Sequence, residues 1–288
     1  MKNALLTVDV EEWHHLEYIN DHEEERKKAK MVPAILNLLD LLDQYNIKAV
    51  FFILADIADE YYDIISEIKD RGHEIGCHGY DHELLHDMGE EQFLTKAGKA
   101  KEKLDNLLGP DVVLGYRASC FSLNRRKLDI LQDLGYVYDS SFIRFCEHPL
   151  YGKMDMSGYK KMQSLVYLKD GFYEFEIPTL KILKYNIPIS GGGYMRFFPL
   201  FLIKTLITIY GKSSENILFY LHPFELTDIQ IPFPEDISLK DRLRASIGRK
   251  KNMTKLEKLI IWLLKSGTRF NVPSALMNET AVVQGGSD

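Results

Sequence analysis

The sequence has little cysteine and no excess of positive charge. Its 288 residues include three cysteines, and 36 Lys plus Arg face 42 Asp plus Glu. Cys77, Cys120 and Cys146 are too few, and odd in number, for a disulfide framework, so reduced thiols in a cytosolic setting are expected. A formal charge of -6 disfavours nucleic acid as a partner, because that function calls for a basic balance. Long apolar runs are missing too. A spanning helix needs about 20 apolar residues, and the nearest stretch, 197–210, is shorter and carries Lys204. From Met1 the chain passes directly into Ala4-Leu5-Leu6-Thr7-Val8-Asp9, without the apolar core or cleavage site of a secretory signal. A soluble cytoplasmic protein is the expectation.

A hydrophobic content of 45% is present, enough for a large core. Short β-rich apolar segments at 4–10, 47–54, 73–77, 112–116, 136–139, 171–177 and 216–221 are separated in the first half by amphipathic helical patterns at 33–45, 59–69, 90–108 and 125–134. Strands alternating with helices imply parallel β-α units. No glycine fingerprint for a dinucleotide follows the first strand, so the sequence predicts an α/β fold of barrel type, with about seven parallel strands. One domain over 1–275 is expected, with a disordered polar tail at 276–288.

In such barrels the reactive groups collect at the C-terminal ends of the strands. Here those ends carry Asp9-Val10-Glu11-Glu12, His78-x-x-x-His82, Arg117 and His222. Two imidazoles four residues apart can reach one ion from a helical turn, and a carboxylate from a neighbouring strand completes a facial set with open positions. Each piece alone has a structural explanation. Four elements delivering complementary groups to one rim favour a metal-assisted hydrolytic site.

The motifs also resemble a known family. Thr7-Val8-Asp9-Val10-Glu11-Glu12-Trp13, Arg71-Gly72-His73-Glu74-Ile75-Gly76-Cys77-His78-Gly79-Tyr80-Asp81-His82, Gly115-Tyr116-Arg117-Ala118-Ser119-Cys120 and Phe219-Tyr220-Leu221-His222-Pro223-Phe224-Glu225 occur in order and at sensible spacing. Over about residues 5–226 the chain is similar to the polysaccharide deacetylase superfamily, that is, the NodB homology domain or carbohydrate esterase family 4. It looks closest to the subgroup associated with exopolysaccharide loci. The resemblance implies a distorted (β/α) barrel and hydrolysis of an N-acetyl group on an amino sugar. The substrate would be a cell-envelope glycan or its cytoplasmic or lipid-linked precursor. A deformylase, another small-amide hydrolase or a non-catalytic carbohydrate-binding relic are alternatives on the same barrel.

Residue by residue, the resemblance implies Asp9 as general base, His222 as general acid and Arg117 as the partner that keeps Asp9 ionised and oriented. Glu11, His78 and His82 would hold a divalent metal, zinc first, with cobalt or nickel as alternatives. Val10 stands where the commoner motif has a second aspartate, so ligation shifts to Glu11. Glu12 remains an alternative, although one residue further along an extended strand it should face the other way. His86 is a weaker competitor. Tyr116, Gly192, Gly193, Tyr194 and Arg196 are expected at the substrate cleft, together with Asp139, which could instead orient His222. The six basic residues within 240–251 and the apolar stretch 197–210 suggest peripheral contact with the inner face of the membrane, against the plainer reading of a solvated face and a buried helix. Oligomeric state is left open.

Overall fold

The computed structural model describes residues 1–17, 19, 30–145 and 150–285. Cys146 lies outside the described residues, and Cys77 and Cys120 are free thiols. The first half of the chain alternates regularly: β1 (Asn3–Val10), α1 (Val32–Gln44), β2 (Val50–Ile53), α2 (Tyr62–Asp70), β3 (Glu74–Cys77), α3 (Glu90–Leu108), β4 (Val113–Tyr116), α4 (Arg125–Asp133) and β5 (Tyr138–Asp139). A meander follows: β6 (Lys160–Gln163), β7 (Val166–Lys169) and β8 (Phe172–Phe175). The hairpin β9 (Thr179–Ile182) and β10 (Tyr185–Pro188) leads to α5 (Gly192–Phe197), α6 (Leu200–Tyr210) and β11 (Asn216–Leu221). The chain closes with α7 (Leu239–Ser246), α8 (Asn252–Lys265), β12 (Arg269–Asn271) and α9 (Pro273–Gly285).

The strands β11, β1, β2, β3, β4, β5 and β8 pair in that order, each parallel to the next. β1 is buried at every position, as a strand covered on both faces must be. It also pairs with β12. α1 takes Pro33 in its first turn, where no amide is needed, and buries Ala34, Ile35, Leu38, Leu39, Leu41 and Leu42 as one apolar face.

The expected seven parallel strands are present, but their hydrogen-bonded ladder does not close into a barrel. β8 is flanked by β5 on one side and by antiparallel β7 on the other, which leaves no edge for β11. The isolated bridge Ile143 to Ile177 extends the β5–β8 pairing, and Gly191, after β10, bridges Tyr220 of β11. Asn216 at the start of β11 reaches back to the β6–β7 turn, donating to Gln163 Oε1 and the Ser164 carbonyl. The result is a curled open sheet with a seam.

Two sequence expectations shift. Residues 197–210 are not one helix: Phe198 and Pro199 separate α5 from α6, because proline cannot supply the amide that would continue the first helix. The stretch from 276, expected as a tail, continues α9 through Gly285, and Leu276, Met277 and Thr280 are buried. The polar composition of the last residues hid the apolar anchors just before them.

Candidate functional site

Strands that run parallel bring the residues after their last positions to one end of the sheet. Asp9 sits on β1 and Glu11 just beyond it, two positions apart and so on the same side. Glu12 points away: its Oε1 accepts the Met31 amide at 2.8 Å and the Tyr61 hydroxyl. The alternation expected from the sequence thus separates the two glutamates.

His78 follows β3, and its amide extends the ladder by donating to the Ile53 carbonyl at 2.8 Å. The segment from His78 to His82 is not the helical turn expected. Gly79, at φ +95°, turns the chain in a way that a side chain would oppose, and a series of bends brings His82 back over the strand end. Glu11, His78 and His82 then offer one ligand atom each, all within 4.8 Å of one another. Glu11 Oε2 lies 2.7 Å from His82 Nε2 and 3.6 Å from His78 Nε2. His86 is outside this group, in a turn rather than a helix, and pairs with Asp87 at 3.0 Å.

This trio suits a divalent cation. Glu11 Oε2 is buried and accepts no aligned hydrogen bond from the protein, although both imidazoles face it. His78 Nδ1 lies 2.9 Å from the Arg117 carbonyl, which fixes the proton on Nδ1 and turns the Nε2 lone pair toward Glu11. Glu17 stands 3.6 Å behind His82 Nδ1. Burial by itself would lower the His82 pKa, but Glu11 and then Glu17 push it up to about 10. The same two imidazoles and His222 hold the Glu11 carboxyl well below its ordinary value, against the opposing effect of burial. Positive charge is what this buried carboxylate calls for, and a cation would take the place of the protons.

Beside the trio, Arg117 is fully buried and every donor it uses has a partner. Nη1 donates to Asp9 Oδ1 at 2.7 Å and to Thr7 Oγ1 at 2.6 Å, while Nε and Nη2 reach the Ser140 carbonyl and hydroxyl at 3.0 and 2.9 Å. Its guanidinium stacks 4.3 Å from the Phe52 ring centroid. Asp9 is thereby held on one oxygen, and its Oδ2 faces His222 Nε2 at 3.9 Å.

His222 follows β11, with Nε2 turned to Glu11 Oε1 at 3.4 Å and Nδ1 to Glu225 Oε2 at 3.2 Å. Burial would lower its pKa, but Glu11, Glu225 and Asp9 raise it to about 9. Glu225 was the residue whose role sequence reasoning missed. The signal was its i+3 spacing from His222 on a Pro-started 3-10 turn, which brings the carboxylate back to the imidazole. Asp139, the residue expected to orient His222, is elsewhere: it is buried, accepts the Ser141 amide and hydroxyl at 2.8 and 2.9 Å, and couples to Glu174.

These groups line a cavity of about 320 Å³ together with the aromatic walls Phe121, Tyr151, Tyr194, Tyr220 and Phe224. Gly193 and Tyr194 are in the wall as expected, and Arg196 borders it. Arg196 is nevertheless committed, donating Nε to Glu225 at 3.1 Å and Nη1 to the carbonyls of Arg244, Ala245 and Ile247, so it anchors Glu225 rather than offering itself to an acid. Gly192 lies behind the wall, where a Cβ would sit 1.6 Å from Glu225 Oε2. Tyr116 is buried against Phe93 and Tyr136, away from the cavity. Its place directly before Arg117 on a strand sends it to the opposite face.

Residues 30–138 match the family model described as polysaccharide deacetylase, and residues 140–271 match a domain of unknown function, DUF3473. The boundary falls between β5 and β8, yet one sheet runs through both. A peptidoglycan-N-acetylglucosamine deacetylase of Bacillus cereus is 38% identical over 72 residues, 25% of this chain and 26% of that protein. The matched stretches span 17 to 49% of the curated relatives' own lengths. Among solved structures, a Mycobacterium smegmatis protein assigned to the polysaccharide deacetylases superposes with a TM-score of 0.68 at 18% identity, covering 98% of this chain and 91% of that one. An allantoinase superposes at 0.58 with 14% identity, covering 95% of this chain and 88% of that one, so the fold by itself does not fix the substrate. Residues 30–138 thus match the polysaccharide deacetylase family model, within a fold shared with a solved structure assigned to that family.

Proposed function

We propose that the protein is a divalent-metal-dependent hydrolase that removes the N-acetyl group of an amino sugar in a cell-envelope glycan or its lipid-linked precursor. The observation that carries this is the convergence of three devices on one cavity: the Glu11–His78–His82 trio, the Arg117–Asp9 pair and the Glu225–His222 pair. Amide hydrolysis needs an activated water, a stabilised oxyanion and a protonated leaving nitrogen. Glu11, His78 and His82 would hold a divalent cation, which would supply Lewis acidity toward the acyl carbonyl and toward a water. Asp9, tied down through Oδ1, has Oδ2 available to take the proton of the attacking water. His222 delivers a proton from Nε2 to the departing amine, with Glu225 holding Nδ1 from behind. Tyr194 and the other aromatic walls suit the apolar faces of a sugar ring.

Metal analysis combined with a mass-spectrometric screen for acyl release, over N-acetylated and N-formylated sugars, tests the reading. Stoichiometric divalent metal and acetate release are expected. Release of formate alone would transfer the site to a deformylase, and bound metal with no acyl release would leave a binding relic.

A further inference from the structure

The five most exposed large apolar side chains among the described residues are Leu183, Leu239, Phe201, Leu243 and Phe197, at 89, 80, 72, 64 and 50%. All five belong to segments that leave the catalytic end of the sheet or flank the cavity. Leu183 is at the tip of the β9–β10 hairpin, which follows the C-terminal end of β8. Phe197 closes α5 and lines the cavity, as does Arg244 of α7. The two segments touch: Arg196 Nη1 donates to the carbonyls of Arg244, Ala245 and Ile247.

On α7, Leu239 and Leu243 are one helical turn apart, and the exposed Ile247 continues their line. Ala245 is the only residue of that helix that is buried, so this apolar face has no partner within the described chain. Charge accompanies it. Of the six basic residues in 240–251, Arg242 donates to the Pro234 carbonyl and Arg249 to the Phe224 carbonyl, while Lys240, Arg244, Lys250 and Lys251 are exposed. Asp241 is the single acid of that stretch, and it is held by the Ser238 cap. The hairpin tip repeats the chemistry, with exposed Lys181 and Lys184 beside Ile182, Leu183 and Tyr185. In a chain of net charge -6, two separate elements therefore combine protruding apolar residues with lysine or arginine: α7, whose Arg244 lines the cavity, and the hairpin that follows the C-terminal end of β8.

We propose that this rim docks on an anionic lipid bilayer, the apolar side chains entering the interface and the basic ones meeting the headgroups. The cavity mouth then faces the membrane, and its substrate class becomes an acylamido sugar carried on a membrane-anchored lipid. That last step rests on the hydrolase reading above; the docking itself does not.

Co-sedimentation of the full chain with phosphatidylglycerol–phosphatidylcholine vesicles, against phosphatidylcholine alone, tests the docking. Binding to the anionic vesicles, weakened by salt, is expected. Lys240→Glu and Lys250→Glu should each lower the partition coefficient about fivefold or more, and Leu183→Ser with Leu243→Ser should lower it further. The lysine variants alter only exposed side chains, so they remain informative if the leucine variants fold poorly. No binding by the wild type, or binding indifferent to all four substitutions, overturns the proposal. So does a concentration-dependent dimer abolished by the same substitutions, which would assign the face to a second copy. Acetate release from a soluble N-acetylglucosamine oligomer should be unchanged in these variants. Absence of any acyl release by the wild type across the N-acylated sugar panel would defeat the hydrolase reading while leaving the vesicle result standing.

Discussion

The Glu225 carboxylate reaches both ends of His222: Oε2 accepts the His222 backbone amide at 3.1 Å and lies 3.2 Å from its Nδ1, while Oε1 is held by Arg196. One side chain thus fixes the ring's position, favours a proton on Nδ1 and leaves Nε2 aimed into the cavity. Glu225→Gln should lower turnover strongly, with His222→Ala lower still by about 10²–10⁴, the usual contribution of a general acid. The sign of the pH effect is fixed. Removing the Glu225 charge lowers the pKa of His222, so the basic limb of the rate profile, where the acid is lost by deprotonation, moves to lower pH. An unmoved limb would separate His222 from the acid role.

Gly192→Ala tests the same relationship from behind. An added Cβ would meet the Glu225 carboxylate, so that carboxylate must move. Displacement of a positioning group by about 1 Å can cost a hundredfold in rate. Turnover should fall toward that level while the melting temperature changes little.

Metal content distinguishes the two neighbouring glutamates. Glu11→Ala, His78→Ala and His82→Ala should each lose the metal on dialysis, whereas Glu12→Gln should keep it, because Glu12 is occupied with Met31 and Tyr61. Chelation should abolish activity reversibly. It should also lower the melting temperature, since a ligand at a hundred times its dissociation constant stabilises the folded state by about 2.7 kcal/mol. Metal retained by Glu11→Ala would require another carboxylate.

Arg117→Met removes the arginine bonded to Asp9 and leaves that buried carboxylate without this cation. Breaking such a pair costs about 3–5 kcal/mol. An unfolding free energy from urea titration lowered by that amount, together with loss of turnover, is the expected result. Arg117→Lys should recover some stability but not the bonds to Ser140 and Thr7, which need a planar fork.

The buried Asp139–Glu174 pair gives a pH test remote from the cavity. Burial raises both carboxyls; Asp139 pushes Glu174 further up, whereas the hydrogen bond with Glu174 partly offsets the rise of Asp139. A carboxyl with a raised folded-state pKa favours folding fully below its unfolded value and loses that contribution as pH rises through the folded one. Stability should therefore fall as pH rises above the ordinary carboxylate range. Glu174→Gln, which can still accept the Ser141 and Phe142 amides through its oxygen, should flatten that fall in chemical denaturation measured across pH.

Much of this was legible in the sequence. Period-two alternation sends Glu11 toward the cavity and Glu12 toward Tyr61 whatever surrounds them, and short apolar runs mark β1, β4 and β11. Parallel strands place Asp9, His78, Arg117 and His222 at one end as a matter of topology. The weaker strands were hidden: β6, β9 and β10 are half-exposed, the first two carry lysine, and their patterns do not stand out from loops. Only the tertiary structure decided what depends on a neighbour distant in sequence. The open seam exists because β7 occupies the edge of β8. Arg196 is withdrawn from the substrate by Glu225 and three carbonyls of the α7 segment, and Asp139 by Ser141 and Glu174. Three cysteines and a missing basic excess say nothing of this, because a net charge of -6 averages over the exposed basic residues clustered on α7 and the segment that follows it. Composition is a sum over the chain, whereas a site is a matter of which charges the fold brings within a few ångströms of each other.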